Sequence, residues 1–148
     1  MRTAEKWVYK AINGGKVSQK LYSKLLRIIF ACDIPSSVRI GSDVQLPHNG
    51  MGVVMHNKTK IGNNCVIYQN VTLGGNGKIV DGKVNKGGPI LEDNVAVFCG
   101  ACVLGPITIG HDSYIGANAV VTRDVPPNSL VVGNPAVIKE RKIEYSFK

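Results

Sequence analysis

Aliphatic residues recur at every sixth position along most of this chain: Met55, Ile61, Ile67 and Leu73, then, after a break, Leu91, Val97, Val103, Ile109, Ile115 and Val121. Such a period matches neither a helix nor a strand, so it marks a short unit stacked on copies of itself. The position four residues after each beat holds Thr59, Cys65, Val71, Val95, Ala101, Ile107, Ser113, Ala119 and Val125. These are small or β-branched, as side chains pointing into a narrow coil must be. Glycine often follows the beat, as in Ile61-Gly62 and Ile109-Gly110, which suits a tight corner. Together the columns predict a hexapeptide β-solenoid. Ile34, Ile40 and Leu46, with Val38 and Val44 in the second column, extend the frame toward the N-terminus. Between Leu46 and Met55 three extra residues break it, around His48.

Two helices are predicted ahead of the repeats, over 3–13 and 17–31, split by Gly14-Gly15. In the second, Leu21, Leu25 and Ile28 share one face and Lys20, Lys24 and Arg27 another. An open terminal coil presents unpaired strand edges, so residues 1–32 read as a helical cap on the solenoid. The body covers 33–133, interrupted by a glycine-rich, basic insertion at 74–90. Pro126-Pro127 and then Pro135 end the ladder for want of an amide donor, and 134–148 form a tail. The insertion is not needed for stacking and reads as a functional cover. It lacks the spacing of a phosphate-cradling loop between a strand and a helix.

Composition narrows the classes. A chain of 148 residues, 44% of them hydrophobic, suits one globular domain. The apolar run from Leu25 to Cys32 is broken by Arg27 and too short to span a bilayer. Glu5, Lys6 and Lys10 stand where a secretory signal would place its apolar core, so the expected compartment is the cytoplasm. Of the four cysteines, Cys65 falls in the interior column, and Cys99 and Cys102 form a C-x-x-C without a second pair. Structural thiols and no metal are expected.

The net charge of +8 is uneven. Residues 1–39 carry eight Lys/Arg against two acids, 40–133 six against six, and 134–148 four against two. The excess lies outside the solenoid and lacks the aromatic or motif support of a nucleic-acid face. Neither a nucleic-acid partner nor stable membrane insertion is expected. In the tail, Lys139, Arg141 and Lys142 could pair with the phosphates of a nucleotide-like cofactor.

Four stretches carry a resemblance: Asp33-Ile34 with His48 fifteen residues on, Tyr68-Gln69-Asn70-Val71-Thr72-Leu73-Gly74-Gly75, the hexads 91–125, and Val125-Pro126-Pro127-Asn128 through Gly133-Asn134-Pro135-Ala136. Over about residues 33–140 the chain resembles the hexapeptide-repeat acyltransferases, and within them the serine acetyltransferase branch, including relatives found with polysaccharide biosynthesis. The resemblance implies an all-β solenoid wound as a left-handed parallel β-helix. It also implies a homotrimer with acetyl-CoA in a groove between neighbouring subunits, lined by Gly74, Gly75, Cys99, Ala117, Asn134, Pro135 and Lys139. Lys78 and Lys86 would belong to the substrate loop. In that scheme His48 is the general base and Asp33 orients it. An alcohol is a poor nucleophile at neutral pH, and an imidazole that takes its proton contributes about 10²–10⁴-fold. A carboxylate on the other ring nitrogen fixes the tautomer.

The hexad frame supports the pairing. Fifteen residues is close to one coil of three six-residue faces, so Asp33 and His48 can meet on adjacent coils. The bulge Asn49-Gly50-Met51-Gly52 frees His48 to point outward, whereas His56 and His111 sit in regular hexads and are expected to face solvent. No nucleophile elbow is present, so direct transfer in a ternary complex is expected.

Serine acetyltransferases resembling this chain carry an Arg-His pair before the proline that restarts the coil. Here Gly87 and Gly88 precede Pro89, and the family's long helical N-terminal domain is reduced to residues 1–32. A small zwitterion needs a cation for its carboxylate, so the expected acceptor is a saccharide hydroxyl. Serine is the alternative, with Lys78, Lys83 or Lys86 supplying the charge. From other classes, an inert trimeric scaffold is opposed by the Asp33/His48 pair. A carbonic-anhydrase-like zinc solenoid is opposed by the spacing of His48, His56 and His111.

Overall fold

The computed structural model describes residues 2–144 and 146. Two helices, α1 (Thr3–Asn13) and α2 (Lys16–Phe30), precede the strands. The apolar positions Ala4, Val8 and Ala11 of α1 are buried in the same core as the first coils. Glu5 Oε1 accepts a hydrogen bond from the Leu46 amide at 2.9 Å, so a helix side chain satisfies a donor on the open end of the solenoid. Trp7 packs between Tyr22 and Phe30 of α2, with ring centroids 6.1 and 5.5 Å away. Among the described residues no helix is long and apolar enough to cross a membrane.

The strands are short and follow the beat. The first coil contributes β1 (Arg39–Ile40), and the second contributes β2 (Val54–Met55), β3 (Lys60–Ile61) and β4 (Val66–Ile67). The third begins with β5 (Thr72–Gly74), leaves through a hairpin of β6 (Ile79–Val80) and β7 (Lys83–Val84), and returns as β8 (Ile90–Leu91) and β9 (Ala96–Val97). Next come β10 (Cys102–Leu104), β11 (Thr108–Ile109) and β12 (Tyr114–Ile115), then β13 (Val120–Val121), β14 (Ser129–Val132) and β15 (Val137–Glu140).

These strands stack into three parallel faces. The first is β2-β5-β10-β13, the second β1-β3-β8-β11, and the third β4-β9-β12-β14. Beat residues lie in register on each: Met55, Leu73, Val103 and Val121 on the first; Ile40, Ile61, Leu91 and Ile109 on the second; Ile67, Val97, Ile115 and Val131 on the third. Beats from Met55 to Val121 are buried, and so is the whole second column from Thr59 to Val125. A side chain every sixth residue thus fills the interior, and backbone ladders link the coils.

The corners work differently from the sequence-based expectation. Their left-handed residues are mainly Asn and Asp, three positions after the beat: Asp43, Asn64, Asn70, Asn94, Asp112 and Asn118 all have positive φ. Short polar side chains tolerate that conformation better than others. The glycines directly after the beat serve close stacking instead. A Cβ on Gly110 would lie 2.4 Å from the Pro127 nitrogen, and one on Gly62 2.5 Å from Asp93 Oδ1.

The C-terminal end also departs from expectation. Pro126-Pro127 do not end the ladder, because β14 still pairs with β12. Val125 bridges Ile109 and so acts as a beat, which makes this coil two residues shorter than the regular eighteen. Asp124 Oδ1 accepts the Thr108 amide at 2.8 Å, a side chain filling a ladder position. The chain then turns at Gly133, through a cis Asn134-Pro135 bond, and β15 folds back antiparallel on β14.

Candidate active site

Turns leading from the third face to the first stack into a continuous corner. Asn70 N donates to Met51 O at 2.8 Å, Gly100 N to Gln69 O at 3.1 Å, and Asn118 N to Cys99 O at 3.0 Å. At the last level Val120 N donates to Gly133 O at 3.0 Å. This one edge therefore gathers His48, Cys99, Ala117, Asn134 and Pro135. His48 stands at the N-terminal end of the row, exposed, in the turn Pro47–Gly50, where it and Asn49 have φ of 55° and 57°. The three extra residues that break the hexad frame build that turn. The imidazole is 6.4 Å from the Tyr68 ring, which stacks on Phe98 at 5.3 Å. Among the described residues, Gln69 Oε1 is buried with no hydrogen-bond partner, an acceptor left open beside this row.

Asp33 is not joined to His48. Its carboxylate accepts from Arg27 Nη2 at 2.6 Å and Nε at 3.1 Å, and among the described residues no hydrogen bond links it to the histidine. It lies on the first face, bridging Val54. Both partners of the ion pair are exposed, so the pair is worth about 0–1 kcal/mol and does not lock the carboxylate.

The remaining sequence-predicted residues lie elsewhere. Gly74 and Gly75 sit at the corner between the first and second faces, where the insertion leaves β5. Lys78 and Lys86 are exposed on that insertion, which projects as the β6-β7 hairpin with Ile79, Val80 and Val84 open to solvent. Lys139 is exposed on β15, opposite Leu130. Arg141 stacks over the Tyr114 ring at 4.5 Å and Lys142 lies 3.8 Å from Glu140, so these two cations already have partners. Within one chain, the histidine corner and the loop corner are on different edges of the solenoid.

The expectation that His56 and His111 both face solvent fails at His56. His111 is exposed, as expected, and pairs with Asp112 at 2.7 Å, but His56 is half-buried beneath the insertion. Its Nδ1 accepts the Lys58 amide at 3.2 Å, which leaves the proton on Nε2 in the neutral ring. A Cβ on Gly75 would be 3.8 Å from that Nε2, and one on Gly88 2.8 Å from Nδ1. A Cβ on Gly87 would meet Pro106 Cβ at 2.3 Å. Gly87 and Gly88 therefore have a packing cause: the returning chain runs so close to His56 and Pro106 that no side chain fits. Their lack of charge does not itself argue for a large acceptor. The clue available in the sequence was a histidine one residue after a beat, where other coils often carry glycine.

All four cysteines are free. Burial pushes the Cys65 thiol up to about 11 and also raises Cys32, whose Sγ donates to Gly50 O at 2.8 Å. Among the described residues no three His, Cys, Asp or Glu side chains converge as metal ligands would.

A three-faced parallel solenoid with two N-terminal helices packed on its first coils and an exposed histidine, His48, in a frame-breaking corner turn defines a class, and comparison with known proteins narrows it. The serine acetyltransferase of Helicobacter pylori is 44% identical over 121 residues, covering 80% of this chain and 68% of that protein. That of Mycobacterium tuberculosis is 40% identical over 132 residues, covering 89% and 55%. Among solved structures, serine acetyltransferase from Vibrio cholerae superposes with a TM-score of 0.81 at 30% identity, over 95% of this chain and 54% of that one. Soybean serine acetyltransferase complexed with serine gives 0.77 at 34% identity, over 92% and 56%. No protein-family model matches the chain. The chain belongs to the serine acetyltransferase family of hexapeptide-repeat proteins. It spans about half the length of several of the relatives it matches.

Proposed function

We propose that the protein is an acetyl-CoA-dependent serine O-acetyltransferase. The observation that carries this reading is the corner stack: an exposed histidine heads a row of turns in a chain whose relatives are serine acetyltransferases. His48 takes the proton of the serine hydroxyl as its oxygen attacks the thioester carbonyl, and the tetrahedral intermediate expels the thiol of coenzyme A. The donor lies along the corner past Cys99, Ala117, Asn134 and Pro135, with Lys139 toward its distal end. Asp33 turns from its exposed pair with Arg27 to orient the imidazole. Residues 33–133, wound in the left-handed sense of the family, form the catalytic body. Residues 1–32 cap it, and 134–148 close its far end.

Serine replaces the saccharide expected above. That expectation rested on the short helical segment ahead of the repeats and on Gly87 and Gly88, and the packing of the two glycines under His56 and against Pro106 gives them another cause. The Nε2 proton of His56, together with Lys78 and Lys86, offers the donors a carboxylate needs. Because Gly74, Gly75 and these lysines sit on a different corner from His48, a site that uses both sets needs a second copy. The exposed apolar hairpin suits such a neighbour, and three copies close the arrangement with one site at each interface. Thiol release from acetyl-CoA should be fast with L-serine and slow with homoserine and nucleotide sugars. Preferred turnover of a sugar would reverse the assignment.

A further inference from the structure

Helix α2 presents two apolar faces. Leu26 is fully buried, and Tyr22 and Phe30 pack beside it against the core. On the opposite side Val17, Leu21 and Ile28, spaced to form one stripe, are exposed, Val17 at 84% and Ile28 at 79%. Along one edge of this stripe lie Lys16, Lys20, Lys24 and Arg27, all exposed. The helix has no acidic residue, and its first turn contains Lys16. A cation there opposes the helix dipole and favours the helix only when something anionic lies nearby. Residues 1–27 carry seven Lys/Arg against the single acid Glu5, and Glu5 is engaged with the Leu46 amide.

From this pattern we infer that α2 docks the protein flat on an anionic lipid surface. The apolar stripe enters the headgroup boundary, and the basic edge lies among the phosphates. The charge selects the occupant. A second copy of α2 would bring another row of cations and no acid to the same seam. A nucleic acid would satisfy the cations but leave the aliphatic stripe in water. Anionic lipid answers both features, and of this surface only Arg27 touches a residue of the proposed acetyl-transfer site, through its pair with Asp33.

The test is co-sedimentation of the full chain with vesicles of phosphatidylcholine alone, or of equal parts phosphatidylcholine and phosphatidylglycerol. Binding should appear with the mixed vesicles only and weaken as salt rises. Leu21→Glu and Ile28→Glu should each abolish it. Reversing Lys20 and Lys24 together to Glu should cut partitioning by roughly tenfold or more. All these side chains are exposed, so the variants should keep the wild-type helical signal and acetyl-transfer rate. Equal binding to both vesicle types, no binding, or unchanged binding by the folded variants would overturn the inference. So would a lipid-free, concentration-dependent association that Ile28→Glu removes, because a second copy would then own the stripe.

Discussion

At the residue scale two histidines and one thiol carry the chemistry that can be measured. Replacing His48 by Ala should lower kcat by about 10²-fold or more without changing the folded state, because the side chain is exposed and packs little. Asp33→Asn should cost less, since the imidazole stays and loses only its orienting charge. Arg27→Ala should not reduce kcat at all, because it only releases Asp33. His56→Ala should act mainly on the KM for serine, leaving the acetyl-CoA KM in place; steady-state kinetics separates these cases. Cys65 gives a pH prediction. Its folded thiol titrates near 11, above the unfolded value of 9.0, so the neutral form is favoured by folding. The stability it contributes is complete below pH 9 and is lost as pH rises toward about 11, which denaturant titrations at pH 8 and 10 would register. Half-exposed Cys99 and Cys102 should react with a thiol reagent well before Cys65.

At the element scale the coil corners are the sensitive points. Gly110→Ala places a methyl against the Pro127 backbone nitrogen at 2.4 Å, where no side chain can give way, so thermal unfolding should report a loss of about 1–3 kcal/mol. Periodicity made the interior legible: each beat from Met55 to Val121 is buried and in register, because a stacked coil repeats its own environment. What escaped were features without a period. The shortened coil depends on Asp124 reaching a ladder amide, and β15 on a turn after Gly133. The contact between Gly88 and His56 joins residues thirty-two apart in sequence across an insertion. His48 was legible because it breaks the frame, and its lack of a bond to Asp33 was not, because Arg27 comes from the cap rather than from the repeat.

At the scale of the whole molecule, the separation of the two corners becomes an argument about assembly. One chain exposes His48 on one edge and the loop glycines and lysines on another, so the site should exist only between copies, and light scattering should report a trimer. The direct test is complementation between two crippled subunits: His48→Ala, and a variant whose loop from Lys78 to Lys86 is replaced by a short Gly-Ser linker. Each alone should lose about 10²-fold or more of serine acetyl transfer. Co-assembled at equal amounts, they should recover roughly a quarter of wild-type activity, because random assembly leaves about that share of interfaces with both halves intact. Full activity in the loop variant alone, or no recovery from trimers shown by mass to be mixed, would contradict a site shared between copies.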